Sequence, residues 1–375
     1  MARPPLDRDQ KQPPPEDGNT SSAPHLCEDI VRAILLRLPA DEPEHLFRAA
    51  SVCKPWLSIL CDSGFRRSYH RFHGVPPVLG FLTTEPRRNL TRFVPSSRFT
   101  PGTVTHEDVD PIDARHGRVL LHTYLSDIRE DALIAWDPIA DRQWECDHLA
   151  CDRDSFLVAF VGSDGTEAVT SATLYSSATS SWSEFSSTNS FAHLSLKPAT
   201  LVNQMIFYTT RRSLGKIVCY DYRAPSLRII DPPDKVRLLS FRDFILLPED
   251  GGRLVLVTLH LTSLDIWVLE IGIRSRMTAW THRSNVDIRC SALSIEPGHS
   301  GTFPVGSCEE HGRIYFNRDS HDGFLSIHFK SGRVSVVTSK GEFLHVIPFT
   351  AFYMPTTPQL AGTYALEIPV CANVS

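Results

Sequence analysis

Residues 75–375 form a long succession of short apolar runs separated by Gly, Pro, Asp and Ser, and no other pattern in the chain restricts the fold as much. Runs such as RLVLVTL and LDIWVLE have the length of β-strands and are interrupted too often for helices. The order strand, turn, strand, turn and closing aromatic or apolar residue recurs at intervals of about 40 to 55 residues, which is typical of the four-stranded blades of a β-propeller.

Five such units can be recognised. Their paired segments are HGRVLL with ALIAWDPIADRQW, FLVAFVG with ATLYSSATSSW, QMIFYTT with GKIVCYDYRAPSLRII, RLVLVTL with LDIWVLEIGIRSRMTAW, and GRIYFN with GFLSIHFKSGRVSVV. PPVLGFLTT and TRFVPSS near the start, together with FLHVIPFTAFYMP near the end, predict a sixth blade built from both ends. We therefore predict one closed all-β propeller of about six blades, with Trp144, Trp182 and Trp280 in packed strand positions.

The first 73 residues have a different character. Residues 1–24 are rich in proline and charge, and we expect a disordered tail. Residues 25–73 show helical periodicity, in which Ile30, Ile34 and Leu35 share one face of a helix that ends at Pro39. A second helix is predicted from about Glu42 to Val52, capped by Asp41 with Glu44 three residues on. A third is predicted to open at Pro55 and to close at the D-S-G turn, followed by Phe65, Tyr69 and Phe72 at helical spacing.

LCEDIVRAILLRLP followed by HLFRAASVCKPWLSIL resembles the F-box, a small all-α unit. The positions that carry the resemblance are Leu26, Asp29, Ile30, Ile34, Leu35, Arg37, Leu38, Pro39, Leu46, Val52, Cys53, Lys54 and Trp56. Cys27 departs from the family, which usually has proline there. The region that follows is similar to the plant-type F-box proteins with a β-rich C-terminal domain, and its hairpins resemble kelch-like blades without the glycine doublets of kelch repeats.

The resemblance implies that residues 25–73 dock onto a Skp-family adaptor and, through it, a cullin, while the propeller receives an unknown protein substrate. A helical unit this small cannot bury all its apolar side chains, which agrees with docking onto another chain. The residues expected to contact the adaptor are Leu26, Ile30, Ile34, Leu35, Leu38, Pro39, Leu46, Val52 and Trp56. For the substrate, the basic pairs Arg87–Arg88 and Arg211–Arg212 are candidates that would attract an acidic or phosphorylated segment.

Composition excludes several classes of protein. The formal net charge of -5 comes with scattered basic pairs, which is unlike a nucleic-acid-binding surface. The chain has no signal-peptide pattern and no apolar stretch near the roughly 18 residues of a membrane span, so we expect a soluble protein of the cytoplasm or nucleus that binds neither nucleic acid nor membrane. The nine cysteines are irregularly spaced and indicate free thiols.

No motif for covalent chemistry is complete, and we predict no catalytic, cofactor-binding or metal-binding residues. The sequence lacks G-x-S-x-G, H-E-x-x-H and a P-loop. Cys146, His148 and Cys151 have no fourth zinc ligand nearby. The acidic run Asp108, Asp110 and Asp113 is interpreted as a solvated loop, Ser163–Thr166 as a hairpin turn, and Cys27, Cys53 and Cys61 as small buried helix residues.

Two alternatives remain. A propeller enzyme with a helical cap would require carboxylates or metal ligands that converge in the channel. An F-box protein with a ubiquitin-independent role, in assembly or sequestration, would share every feature described so far.

Overall fold

A computed structural model of the protein describes residues 27–85, 90–96, 100, 105–123, 132–139, 142–143, 157–164, 168–176, 178–195, 197–210, 215–237, 244–260, 263–271, 279–288, 303–317, 323–338, 343, 345–355 and 368–369. The predicted tail, Leu26 and Trp144 lie outside these ranges. Within them, no helix is both long and apolar enough to cross a membrane.

Four short helices come first. They are α1 (Glu28–Leu36), α2 (Glu44–Val52), α3 (Lys54–Cys61) and α4 (Ser63–His73). One predicted helix cap is wrong. Pro43 occupies the cap position of α2 and no side chain caps this helix, so Asp41 is not the predicted cap. The predicted end of the third helix is confirmed, since α3 ends at Cys61 and Asp62 follows it, whereas Ser63 and Gly64 belong to α4. Asp62 also caps α4, because its carboxylate accepts a hydrogen bond from the Phe65 amide at 2.9 Å.

Six antiparallel sheets follow, and we number the blades in chain order. Blade 1 consists of β24 (Ile347–Thr350), β1 (Val78–Glu85), β2 (Leu90–Pro95) and β3 (Thr105–Glu107). Blade 2 consists of β4 (Val109–Arg115), β5 (Arg118–Thr123), β6 (Ala132–Asp137), β7 (Arg142–Gln143) and β25 (Ile368–Pro369). Blade 3 consists of β8 (Leu157–Asp164), β9 (Val169–Ser176), β10 (Ser181–Trp182) and β11 (Ser186–Thr188).

The remaining three blades are regular four-stranded sheets. Blade 4 consists of β12 (Thr200–Val202), β13 (Met205–Thr209), β14 (Ile217–Asp221) and β15 (Ser226–Ile230), and the short helix α5 (Asp234–Arg237) follows it. Blade 5 consists of β16 (Phe244–Glu249), β17 (Arg253–His260), β18 (Ser263–Glu270) and β19 (Thr281–Asp287). Blade 6 consists of β20 (Pro304–Cys308), β21 (Arg313–Asn317), β22 (Gly323–His328) and β23 (Val334–Thr338).

The predicted six-bladed propeller, with one blade built from both ends of the region, is confirmed. β24 pairs with β1 in antiparallel register, with Phe81 opposite Pro348 and Leu82 opposite Ile347. Residues far apart in sequence thus share one sheet, which closes the ring and removes two open edges.

The cores lie between neighbouring blades. Alternate residues of β16, β17 and β18, such as Leu247, Val255 and Ile266, pack against Ile314 and Phe329 of blade 6. Trp182 packs against Tyr175 at 5.3 Å between ring centroids, as predicted for a strand tryptophan. Trp280 lies immediately before β19 and packs on the core between blades 4 and 5.

The helical unit sits at one end of the ring, where the innermost strand of each blade turns into the second strand. His311, in the turn after β20, donates a hydrogen bond to the Pro76 carbonyl at 2.8 Å. In the turn after β4, a Cβ at Gly117 would lie 3.5 Å from the Cβ of Ala351, which directly follows β24. The opposite end of the ring carries the turns between second and third strands.

Candidate functional site

The helical unit has a core of its own that uses only part of its apolar surface. Val31 and Leu35 of α1 are buried against Leu46 of α2 and Leu60 of α3. The end of α1 is held by α4, because the Tyr69 hydroxyl donates to the Leu38 carbonyl at 2.9 Å and His73 Nε2 to the Leu36 carbonyl at 3.1 Å. Burial raises the pKa of Tyr69, so this hydroxyl remains a donor.

Other apolar side chains of the same helices point outward. Ile30 is 50% exposed, Ile34 is 45% exposed and Val52 is 63% exposed. Ile30 and Ile34 are four residues apart and therefore lie on the same side of α1. Pro39 is exposed, whereas Leu38 and Trp56 are half-buried. We call Ile30, Ile34, Pro39 and Val52 the outer apolar surface.

The predicted adaptor-contacting set is thus divided. Leu35 and Leu46 are both 1% exposed and contribute to the core, so they are not available to another chain. The outer apolar surface retains four members of the set, and Leu26 lies outside the described residues. The periodicity of α1 could not separate the two groups, since inward and outward residues are equally apolar.

A groove of about 450 Å³ runs along α3 and is lined by Lys54, Leu57, Ser58, Cys61 and Asp62. Its acidic end is fixed, since Arg32 Nη1 lies 3.3 Å from Asp62 Oδ2. The Phe65 amide and then the Arg32 guanidinium lower the pKa of the Asp62 carboxyl, which therefore stays ionised. The groove thus presents an apolar floor with one charge of each sign.

The three cysteines of this unit are not the buried residues predicted. Cys27 and Cys53 are exposed, and Cys61 is partly exposed with its thiol 3.6 Å from the Pro355 carbonyl. Their positions explain this, because Cys27 precedes α1 and Cys53 separates α2 from α3, so neither lies on an inward helix face.

The helical unit is joined to the propeller by the residues that follow β24. Met354 is 3% exposed inside the helical core. The Phe352 ring stacks on His70 at 4.3 Å between centroids, and the Tyr353 ring lies 4.5 Å from that of Phe47. The strand that closes the ring therefore continues into the helical core, which fixes the position of the outer apolar surface relative to the propeller.

The axis of the propeller is occupied by an ion-paired group near the same end. Arg115, at the end of β4, binds both oxygens of Glu309 at 3.0 and 3.2 Å, and its Nε lies 3.0 Å from Asp113. The same guanidinium donates to the Ala199 carbonyl, so it joins blades 2, 4 and 6. Burial raises the pKa of the Glu309 carboxyl, although Arg115 opposes this effect.

The interpretation of Asp108–Asp113 as a solvated loop is wrong. Asp110 is buried in β4 and accepts a hydrogen bond from the Thr84 hydroxyl at 2.8 Å. That hydroxyl also lies 3.2 Å from His345 Nε2, so the carboxylate and the imidazole both contact the threonine.

The residues predicted to bind the substrate and the possible zinc cluster are not among the described residues. Arg87, Arg88, Arg211 and Arg212 lie outside the described residues, as does the cluster from Cys146 to Cys151. The strands that flank the two arginine pairs, β1 with β2 and β13 with β14, are second and third strands of their blades. Within the described residues, one group of potential metal ligands is close together, Glu42, Glu44 and His45, and it lies on the surface of the helical unit.

Comparison with known proteins agrees with this architecture. The family model described as the F-box domain matches residues 24–68. Among curated proteins, no match is found.

The solved structures that resemble the chain share little sequence identity with it. TolB from Acinetobacter baumannii has a TM-score of 0.43 and 12% identity, over 75% of this chain and 69% of that one. A structure from a study of two prolyl endopeptidases has a TM-score of 0.32 and 10% identity, over 84% of this chain and 40% of that one. The β-propeller domain of the Trilobed protease from Pyrococcus furiosus has a TM-score of 0.35 and 10% identity, over 61% of this chain and 82% of that one.

Similarities this low support no functional argument. The match to the F-box model and the closed ring of sheets together identify the chain as one with an F-box domain at residues 24–68 followed by a six-bladed β-propeller.

Proposed function

We propose that this protein is the substrate-recognition subunit of an SCF-type ubiquitin ligase and belongs to the plant-type F-box proteins with a kelch-like propeller. The observation that carries the proposal is the outer apolar surface on the F-box helices. Exposure of Ile30, Ile34 and Val52 to water is unfavourable. If the helices of a Skp-family adaptor covered these side chains, each Å² of apolar surface buried would stabilise the complex by about 25 cal/mol.

The attachment of the two parts supports a role in positioning. Because Phe352 and Met354 pack within the helical unit, the F-box and the propeller are expected to move as one body. A protein held by the propeller would then keep a constant orientation toward the adaptor and, through it, the cullin. We expect this capture at the end of the propeller that lies opposite the helical unit.

Catalysis in this proposal belongs to the partner subunits. The carboxylates of Asp113 and Glu309 are engaged by Arg115, and this arrangement favours a structural role for them over a catalytic one. The expected location is the cytoplasm, the nucleus or both.

Adaptor docking is tested by co-expression and pull-down of the full-length chain with a Skp-family adaptor. Ile30→Asp with Ile34→Asp should abolish capture, because two charges would be buried in the apolar interface. The matched control is Val336→Asp with Leu201→Asp, which alters exposed apolar residues of the propeller and should leave capture intact. Leu35 is unsuitable for this test, since a charge at a position 1% exposed would unfold the helical unit itself. Equal capture of both double variants would refute the proposal.

A reconstituted reaction with adaptor and cullin separates the ligase from the ubiquitin-independent role. If the protein belongs to a ligase, ubiquitin should be transferred to a bound substrate, whereas a sequestration factor should bind the adaptor without transfer.

Once a substrate is known, replacing Arg87, Arg88, Arg211 and Arg212 by serine tests the basic pairs. Degradation of the substrate should slow while capture of the adaptor persists. Unchanged degradation would exclude these residues as the substrate site.

A further inference from the structure

Blade 3 is one strand narrower than its neighbours. In its register, Tyr175 of β9 faces Val158 of β8 on one side and Trp182 of β10 on the other. Ala172 of β9 likewise faces Val161 of β8 on one side and Ser186 of β11 on the other. A strand has two edges, so β10 and β11 are consecutive pieces along the same edge. Among the described residues, blade 3 therefore has three rows of strands, where every other sheet has four.

In the part of the chain that the structure describes, the segment after β11 does not return to supply a fourth row. After Thr188 it passes to blade 4, where Leu194 forms a bridge with Thr210 before β12 begins. Residues 189–199 are described except for residue 196, and none of them pairs with β10 or β11. Within the described part of the chain, the outer edge of Ser181–Thr188 has no strand beside it.

The vacant row lies in a slot, because the neighbouring blade extends further out. β15, the fourth strand of blade 4, contacts β11 and carries Leu227 and Ile229 on the side that faces blade 3. Both are only half-buried, although they belong to a core with Val161 and Ala172. Phe185, at the break between β10 and β11, is 57% exposed. The slot thus offers apolar side chains beside an open row of backbone groups.

This edge also lacks the usual protection against strand addition. Natural edge strands are commonly guarded by lysine, proline or several charges. The segment from Ser181 to Thr188 reads SWSEFSST and contains one charge, that of Glu184. Alternating N–H and C=O groups along an open edge are complementary to an extended main chain, and apolar neighbours on one side select apolar side chains at alternate positions.

We propose that an extended segment of the captured protein adds to the outer edge of β10 and β11 as the fourth strand of blade 3. The segment is recognised by main-chain hydrogen bonds and by apolar side chains that cover Leu227 and Ile229. The site lies on the rim of the ring, away from the helical unit. The identity of the occupant as a captured protein rests on the proposed function, whereas the strand-binding edge does not.

The test uses the full-length protein and a synthetic peptide, acetyl-Lys-Val-Thr-Val-Thr-Val-Lys-amide. At saturating peptide, hydrogen exchange of the amides in residues 181–188 should slow by at least about tenfold, since the amides that face the edge gain partners. Amides of β23, the outer strand of the four-row blade 6, should be unaffected. The same peptide N-methylated at every valine and threonine has no donors there and should not bind. Ile229→Val should weaken binding about fourfold, the effect of one buried methylene group, and Val336→Ala on β23 should not.

Three results would overturn the proposal. One is strong protection of residues 181–188 without peptide, which would mean that another segment of this chain already fills the row. The second is equal protection of β23, which would mean unselective pairing. The third is equal binding of the N-methylated peptide. No adaptor is present in this experiment, so its failure would leave adaptor docking standing, and a failed adaptor pull-down would leave a positive peptide result standing.

Discussion

Met354→Ala tests how much the segment that follows β24 contributes to the stability of the F-box helices. Met354 lies 3% exposed in a core with Val31, Leu35 and Leu46, although it is more than 300 residues away from each of them in sequence. Truncation of a buried methionine to alanine costs about 2–5 kcal/mol, through lost transfer free energy and the cavity left behind. A core as small as that of the helical unit rarely supplies more than about 3–5 kcal/mol. The substitution should therefore remove most of the stability of α1–α4 against local unfolding.

Native-state hydrogen exchange measures this directly. A loss of about 3 kcal/mol should accelerate exchange of the protected amides in α1–α4 by roughly 100-fold, while the propeller amides keep their rates. Met205→Ala is the matched control, since Met205 is fully buried in the core of blades 4 and 5 and should accelerate exchange there and not in the helices. Capture of the adaptor should weaken for the first variant only. Unchanged exchange in the helices of Met354→Ala would refute the idea that this segment completes the F-box core.

Three further predictions concern the charges and the ring closure. The folded-state pKa of Asp62 is lowered, so its stabilisation is present above the ordinary aspartate pKa and is lost as pH falls through the folded value. Asp62→Asn can still cap α4 but should abolish that acid-dependent loss in urea titrations of the helical unit, and identical pH profiles would contradict this. Arg115→Met leaves the half-buried Glu309 carboxylate without this partner and should lower the free energy of unfolding of the propeller by about 1–3 kcal/mol in urea denaturation, whereas an unchanged midpoint would mean that the pair contributes nothing. A Cβ at Gly306 would lie 1.9 Å from the Val346 carbonyl oxygen, so Gly306→Ala should lower the melting temperature measured by circular dichroism, and a wild-type melting curve would exclude this close approach.

The kinds of secondary-structure elements and their order could be predicted from the amino-acid sequence alone. Strand length, turn residues and the recurrence of units are local properties, so the middle strands of each blade, such as β17 and β18, could be predicted without any tertiary information. The closure of blade 1 was predictable for a related reason, because apolar runs were left over at both ends of the region and unpaired edges are unfavourable. The F-box was identifiable because its apolar residues recur at fixed spacings over two helices.

Whether an individual residue faces the core or the solvent depends on the tertiary structure. Ile34 and Leu35 are adjacent and equally apolar, yet Leu35 is buried and Ile34 is exposed, since α2, α3 and Met354 cover one side of α1. Asp113 and Arg115 appear as an ordinary polar stretch in sequence and become a half-buried ion pair because blades 2, 4 and 6 converge on the axis. The three-row arrangement of blade 3 in the described residues could not be predicted either, because it depends on which edge of β9 two short strands occupy. Local periodicity specifies that a residue is apolar or that a segment is extended, but burial and pairing depend on neighbours that only the folded chain brings together.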